Sequence, residues 1–119
     1  MNISQFDIWK VNLNPTLGSE QKGMRPCVVL QTNAVSNYGL TTIIAPLTSK
    51  KIDKIYSFEI KIKPSNKNGL KELSKIKFDQ VRVIDKRRLV KKFGKIEEKY
   101  SIEILKALKI IFDFDRDFS

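Results

Sequence analysis

Histidine is missing altogether from this 119-residue chain, and cysteine occurs once, as Cys27. The first absence removes the Ser-His-Asp triad, the Cys-His pair and any histidine-based zinc site. The second removes an intramolecular disulfide. No apolar run approaches the roughly 20 residues needed to span a bilayer, and the N-terminus lacks the basic-then-apolar order of a signal peptide. Acids are few beside bases, 13 Asp and Glu against 23 Lys and Arg, for a formal net charge of +10. These absences leave a soluble, cytoplasmic chain forming one domain over residues 1–119. A chain of this size buries roughly two-thirds of its unfolded surface and folds unaided. The positive excess points to a polyanion, nucleic acid or an anionic membrane, ahead of a small acidic substrate. Lysines scattered over every loop would give the same total.

Up to about Ile84 the chain reads as short strands separated by turn signals. Asp7 to Leu13 alternates with period 2, Trp9, Val11 and Leu13 against Lys10 and Asn12, and predicts a half-buried strand. Asn14-Pro15 and Gly18 end it, and Ser19 to Met24, without apolar periodicity, is a loop. Pro26 to Gln31 is a continuous apolar run, the mark of a strand buried on both faces. Thr41 to Ala45 predicts a third strand, stopped by Pro46, and Tyr56 to Ile62 a fourth. Pro64 to Gly69 has the composition of an exposed loop. Leu73 to Phe78 and Val81 to Ile84 give two more strands, and Val90 to Ile96 a last one with Gly94 as a turn or bulge.

From Glu97 to about Phe112 the period changes. Ile104, Leu105, Leu108, Ile111 and Phe112 form an apolar stripe at helical spacing, with Glu97 and Glu98 at its start and Lys106 and Lys109 nearer its end, as the helix dipole favours. The acids of Asp113 to Asp117 lie where that dipole disfavours them, so the helix is expected to fray there. Short strands and one closing helix predict a mainly β fold, a small, strongly curved barrel with the helix over one opening.

Three polar constellations could carry chemistry. The loop Asn14 to Pro26 offers Ser19, Glu20, Gln21 and Arg25 together, with two glycines for bends and Pro26 holding Arg25 extended. Without other knowledge it is an ordinary hairpin loop in which Glu20 pairs with Arg25. Pro46 to Lys50 places Thr48, Ser49 and Lys50 at a strand terminus, where hydroxyls beside a lysine can hold a phosphate oxygen. In Lys77 to Arg82, alternation puts Lys77 and Asp79 on one face and Phe78, Gln80 and Arg82 on the other. A solvated sheet face would look the same. Cys27 lies in an apolar run with no histidine to activate it and reads as a buried, inert thiol. Trp9 shares its face with Val11 and Leu13 and reads as packing.

At these constellations the chain resembles the MazF/PemK/Kid toxins of toxin–antitoxin systems. The match is carried by Asp7-Ile8-Trp9, by Gly18-Ser19-Glu20-Gln21-x-Gly23-x-Arg25-Pro26, by Ala45-x-x-Thr48 and by Asp79-Gln80-x-Arg82-x-Ile84-Asp85-x-x-Arg88-Leu89, and it runs from about Phe6 to Phe112. Phe6 departs from it, standing where the family usually has glycine, and Lys77 stands where some plasmid-borne relatives place arginine. The resemblance implies an SH3-like barrel and a homodimer, with no metal or other cofactor and no membrane. It implies sequence-specific cleavage of single-stranded RNA, chiefly messenger, by attack of the ribose 2′-hydroxyl, leaving a cyclic phosphate and a 5′-hydroxyl. A cognate antitoxin would block the RNA groove with a segment that folds on binding.

Arg25 and Thr48 match the family's principal catalytic pair. Arginine suits a charged phosphorane, since its planar fork meets two phosphate oxygens, and it suits acid catalysis poorly because it hardly releases a proton. Thr48 would donate to a non-bridging oxygen. Glu20 and Asp79 are the candidate bases, with Asp79 matching an aspartate proposed as catalytic in plasmid relatives. Ser19, Gln21 and Gln80 are candidate base readers, and Lys50, Lys77 and Arg82 candidate RNA-binding cations. Two other readings compete. A CcdB-like toxin shares the barrel but acts on gyrase by protein contacts, and would not need the Glu20/Arg25/Thr48 cluster. A non-catalytic SH3-like nucleic-acid binder would display surface aromatics for stacking.

Overall fold

The computed structural model describes residues 2–114. Seven strands, β1 (Asp7–Asn12), β2 (Met24–Val29), β3 (Thr41–Thr48), β4 (Glu59–Ile62), β5 (Ser74–Lys77), β6 (Arg82–Asp85) and β7 (Leu89–Lys95), form one curved sheet. A single helical turn, α1 (Asn33–Ser36), precedes β3, and α2 (Ser101–Ile111) closes the chain. The neighbour order is β4-β5-β3-β2-β1-β7, with β6 on β3, and every pairing is antiparallel. The barrel-like sheet with a C-terminal helix is the architecture expected, left open between β4 and β7.

Two apolar clusters lie on opposite faces of the sheet. Ile8, Val28, Leu47, Ile76 and Phe78 pack with Ile104 and Ala107 of α2. Trp9, Val11, Leu13, Cys27, Val29 and Ile44 make the other. In β2, Val28 thus serves one cluster and Cys27 and Val29 the other, which is why that stretch is apolar throughout. The buried side of the helix region runs through Tyr100, Ile104 and Ala107, with Leu108 and Ile111 packed beside them. Leu105 and Phe112, expected in the stripe, are exposed. A 3-10 turn over Glu98–Tyr100 delays the helix to Ser101 and sets its rotation, turning Leu105 away from the sheet. Of the acidic tail, Asp115 to Asp117 lies outside the described residues.

Three local expectations are corrected. Pro46 does not stop β3, which runs on to Thr48. The Leu30 N–H donates to Ile43 O, so by alternation the Pro46 nitrogen faces the other edge of β3. That edge is shared: β6 pairs Thr41 to Ile44 and β5 pairs Leu47 and Thr48, so the proline sits at the handover, where no donor is needed. β4 begins only at Glu59, because the Glu59 N–H bonds Tyr56 O at 2.9 Å and turns the chain there. The alternation read across Lys77 to Arg82 breaks at a 3-10 turn over Phe78–Gln80, where Phe78 is driven fully into the core. Pro64 to Gly69 is a mostly exposed loop, as expected, pinned by Asn68, which is fully buried, accepting from the Ser65 and Leu70 N–H groups and donating to Lys63 O and Glu97 Oε1.

That pinned turn packs closely against β7. A Cβ on Gly94 would lie 2.2 Å from Lys67 O, and one on Gly69 2.1 Å from Phe93 O. The β1–β7 register shifts beside Gly94, the bulge its position suggested. Gly94→Ala is expected to lose about 1–3 kcal/mol, the usual cost of overpacking. Gly39→Ala, with open space at its Cβ, is the neutral control. Urea unfolding of both variants measures the difference.

Candidate nucleic-acid interface and active site

Register brings the two principal candidates together. In the β2–β3 ladder Cys27 faces Pro46 and Val28 faces Ala45, and continuing it by two residues sets Arg25 opposite Thr48. Thr48 in turn faces Lys75 of β5. Cross-strand partners share a face, so Arg25, Thr48 and Lys75 form one row, on the face that carries Cys27 and Pro46. The Arg25 Nε donates to Lys22 O at 2.8 Å, which fixes the stem and leaves the two terminal nitrogens for a ligand. The Thr48 Oγ1 accepts from the Lys50 N–H at 3.1 Å, leaving its own proton to donate. Burial pushes the Cys27 thiol up to about 12, against the lowering pull of the Arg25 and Arg82 charges, and the thiol is inert.

Beside this row lies a hollow of about 260 Å³ lined by Glu20, Gln21, Pro46, Asp79, Gln80 and Arg82. It gathers residues from the β1–β2 loop and the β5–β6 turn. The Gln21 N–H donates to Gln80 Oε1 at 3.2 Å and ties the two segments. Glu20 does not pair with Arg25: its carboxylate accepts the Leu17 N–H at 2.6 Å and caps its own loop. Asp79 is partly exposed, with the Lys77 ammonium 3.9 Å away. Arg82 donates to Leu13 O at 3.3 Å and Arg88 to Asn12 O at 3.0 Å, so both brace the base of the β1–β2 loop. Ser19 and Lys50 are exposed.

A larger groove, about 700 Å³, also borders Arg25 and Thr48. Its floor includes Lys10, Pro26 and Leu47, which form the adjacent row on the α2 side of the sheet. Arg25, Thr48 and Ser49 line this groove, whereas Glu20, Gln21, Asp79, Gln80 and Arg82 line the smaller hollow, so the candidate residues divide between two concavities. Lys10, Lys71, Lys91 and Lys92 make the larger groove strongly basic.

Sequence reasoning missed the charged core of the interface. The Glu59 carboxylate is fully buried and accepts from Lys75 Nζ at 3.0 Å, Lys77 Nζ at 3.2 Å and the Tyr56 N–H at 3.0 Å. Burial alone would raise its pKa, and these hydrogen bonds outweigh that, holding it below the usual glutamate value. Lys77 is thereby committed to Glu59 and Asp79. Only the strand pairing, Glu59 to Lys77 and Lys61 to Lys75, reveals this complementarity.

A sequence profile for PemK-like, MazF-like toxins of type II toxin–antitoxin systems matches residues 4–112. The chain belongs to this family. It is 33% identical over 108 residues to the endoribonuclease MazF of Staphylococcus epidermidis, covering 91% of this chain and 89% of that protein. With the endoribonuclease EndoA of Bacillus subtilis it shares 29% over 110 residues, 92% and 94% of the two chains. The fold is that of MazF from Deinococcus radiodurans, with a TM-score of 0.79 at 24% identity over 94% of this chain and 97% of that one. It is also that of a mycobacterial endoribonuclease solved with its cognate antitoxin, TM-score 0.78 at 15% identity over 95% and 97%. In this MazF-like chain no helix among the described residues is long and apolar enough to cross a membrane.

The Glu59 network has a pH signature. Its pKa is depressed on folding, so its contribution is complete above the unfolded glutamate value of 4.5 and is lost as pH falls through its own lower value. Urea unfolding midpoints should fall across that acid range. Glu59→Gln should flatten the decline, leaving the parts due to Glu97 and Asp85, which are depressed in the same sense. An unchanged acid slope in Glu59→Gln would contradict the assignment.

Proposed function

We propose that this MazF-like chain is a sequence-specific, metal-independent endoribonuclease. It cuts single-stranded messenger RNA as the toxin of a toxin–antitoxin pair and is held inactive by its cognate antitoxin. It acts in the cytoplasm as a homodimer of one-domain chains. The observation that carries the reading is that Arg25 and Thr48, from neighbouring strands, line one groove together with Lys10, Lys71, Lys91 and Lys92. RNA supplies its own nucleophile, so the protein's work is positioning, charge stabilisation and proton transfer. The two free nitrogens of Arg25 meet two oxygens of the phosphorane, and Thr48 donates to a non-bridging oxygen.

The general base takes the 2′-hydroxyl proton as that oxygen attacks phosphorus, and the bond from phosphorus to the 5′-oxygen breaks as that oxygen takes a proton from water. Asp79 is assigned this role over Glu20. The Glu20 carboxylate is occupied by the Leu17 N–H, whereas Asp79 stands exposed on the hollow with Lys77 at 3.9 Å. Gln80 spends its carbonyl on the loop and keeps its amide N–H groups for a base edge, beside Gln21 and the exposed Ser19. Lys50 steers the backbone, and Lys77, held by Glu59 and Asp79, adds positive charge from its fixed position. Arg82 contributes positive charge from its bracing position. Trp9 is buried with its indole N–H 3.4 Å from Asp7 Oδ2 and cannot stack on a base, while Tyr38 and Tyr56 are exposed.

Cleavage of a long synthetic RNA in EDTA, resolved on a gel, tests the reading. The wild type should give discrete fragments, and Arg25→Ala and Thr48→Ala should each slow cleavage by about 10²–10³ while remaining folded. An Arg25→Ala variant that cuts at the wild-type rate removes the assignment. Intact RNA of retarded mobility with the wild type would make the protein a binder.

Binding to an RNA made uncleavable by 2′-deoxy substitution should weaken steeply with salt. A log–log slope of about −2 or steeper corresponds to roughly three or more phosphates neutralised. A flat dependence would mean that the positive surplus takes no part.

A further inference from the structure

Lys75 is the nearest cross-strand neighbour of Thr48, yet its ammonium is buried and turned away from the row it shares with Arg25. It donates to Glu59 Oε1 at 3.0 Å and to Lys54 O at 3.0 Å. The same Glu59 oxygen accepts the Tyr56 N–H at 3.0 Å. Around this point Tyr56 and Phe58 stack at 5.4 Å, and the Lys54 and Lys75 ammonium groups lie 5.1 and 5.9 Å from the Tyr56 ring. All of these contacts grip one segment. It runs from Ser49 to Phe58, leaves β3 directly after Thr48, and carries the exposed Lys50.

The segment otherwise has little to hold it. It forms no strand, its residues are mostly exposed, and Lys51 sits at a φ of 53°, in the left-handed region. Its order depends on a polar clamp in place of an apolar core. A buried ammonium without partners is costly, so Lys75 is retained by what it binds. What it binds is the far end of the loop and the first residue of β4.

We propose that the Lys75–Glu59 pair positions the β3–β4 loop. By fixing Lys54 and Tyr56 to the sheet it holds Ser49 to Phe58 as one wall of the RNA path leaving Thr48, so that the loop is preset when RNA arrives. Lys75 and Glu59 touch no reacting atom and act through the loop. The inference rests on the ribonuclease reading for its consequence and on the clamp geometry alone for its cause. Because the wall lies beyond the reacting phosphate, its loss weakens binding of substrate and transition state alike, which appears in KM and leaves kcat intact.

The test uses Lys75→Met, which keeps the length of the side chain and leaves Glu59 paired with Lys77. Amide hydrogen exchange without RNA should show faster exchange at Lys54 to Phe58, with the sheet unchanged. Steady-state cleavage of a short synthetic RNA carrying one mapped site should show KM raised about tenfold with kcat within about twofold. Lys75→Arg, which preserves the charge and donors, should restore both. A merely structural loss would lower the active fraction, hence the apparent kcat, at unchanged KM. If Lys75→Met does not fold, Glu59→Gln, which keeps an acceptor for Tyr56 but loosens the hold on Lys75, is read in the same way. A folded variant with wild-type exchange in the loop and wild-type KM overturns the proposal. A wild type that cuts no RNA would instead defeat the ribonuclease reading, and the exchange measurement would still decide whether the clamp orders the loop.

Discussion

Everything at the interface depends on one strand having two neighbours along a single edge. β3 pairs with β6 through its first half and with β5 through its last two residues, and Pro46 stands where one partner gives way to the other. A residue with an N–H in that position would need an acceptor that neither neighbour supplies. Proline needs none. The strand therefore continues past the handover, and its final residue, Thr48, lies where the β2 register, continued by two residues, reaches Arg25. Distance along the chain becomes proximity in one groove.

Two kinds of concavity adjoin these strands. The wide basic groove is lined by Lys10, Pro26 and Leu47 together with Arg25 and Thr48. The small hollow gathers two carboxylates, two carboxamides and an arginine, and neither Arg25 nor Thr48 lines it. In the proposed reading the groove holds the phosphate chain, and the mixed polar groups of the hollow are the means to discriminate bases.

Much of this was legible in the residues. β1 and β2 were readable because alternation in one and continuous apolarity in the other have single structural solutions. The loop bearing Glu20 and Arg25 was readable from its polar composition between two strands, although the pairing of those two residues was not, since Glu20 caps Leu17 instead. Pro46 misled because a proline's cost depends on which edge it faces, and that is a property of the sheet. The Tyr56 to Ile62 alternation misled in a different way: Glu59 folds back on Tyr56 and shortens the strand. Its buried pairing with Lys75 and Lys77 joins segments about 16 and 18 residues apart, and no local pattern announces it. Phe6 carries a φ of 71°, a conformation open to glycine at little cost, which explains why the family usually places glycine there. Here packing of the Phe6 ring against the α2-side core offsets that strain.

The central claim is that the guanidinium of Arg25 and the hydroxyl of Thr48 hold one phosphate between them. The most direct measurement is a crystal structure of the protein with a short RNA whose scissile ribose is 2′-deoxy. The account predicts non-bridging oxygens of the scissile phosphate within hydrogen-bond distance of both side chains, with the adjoining base in the hollow beside Gln80. A scissile phosphate out of reach of the Arg25 guanidinium and the Thr48 hydroxyl would contradict it.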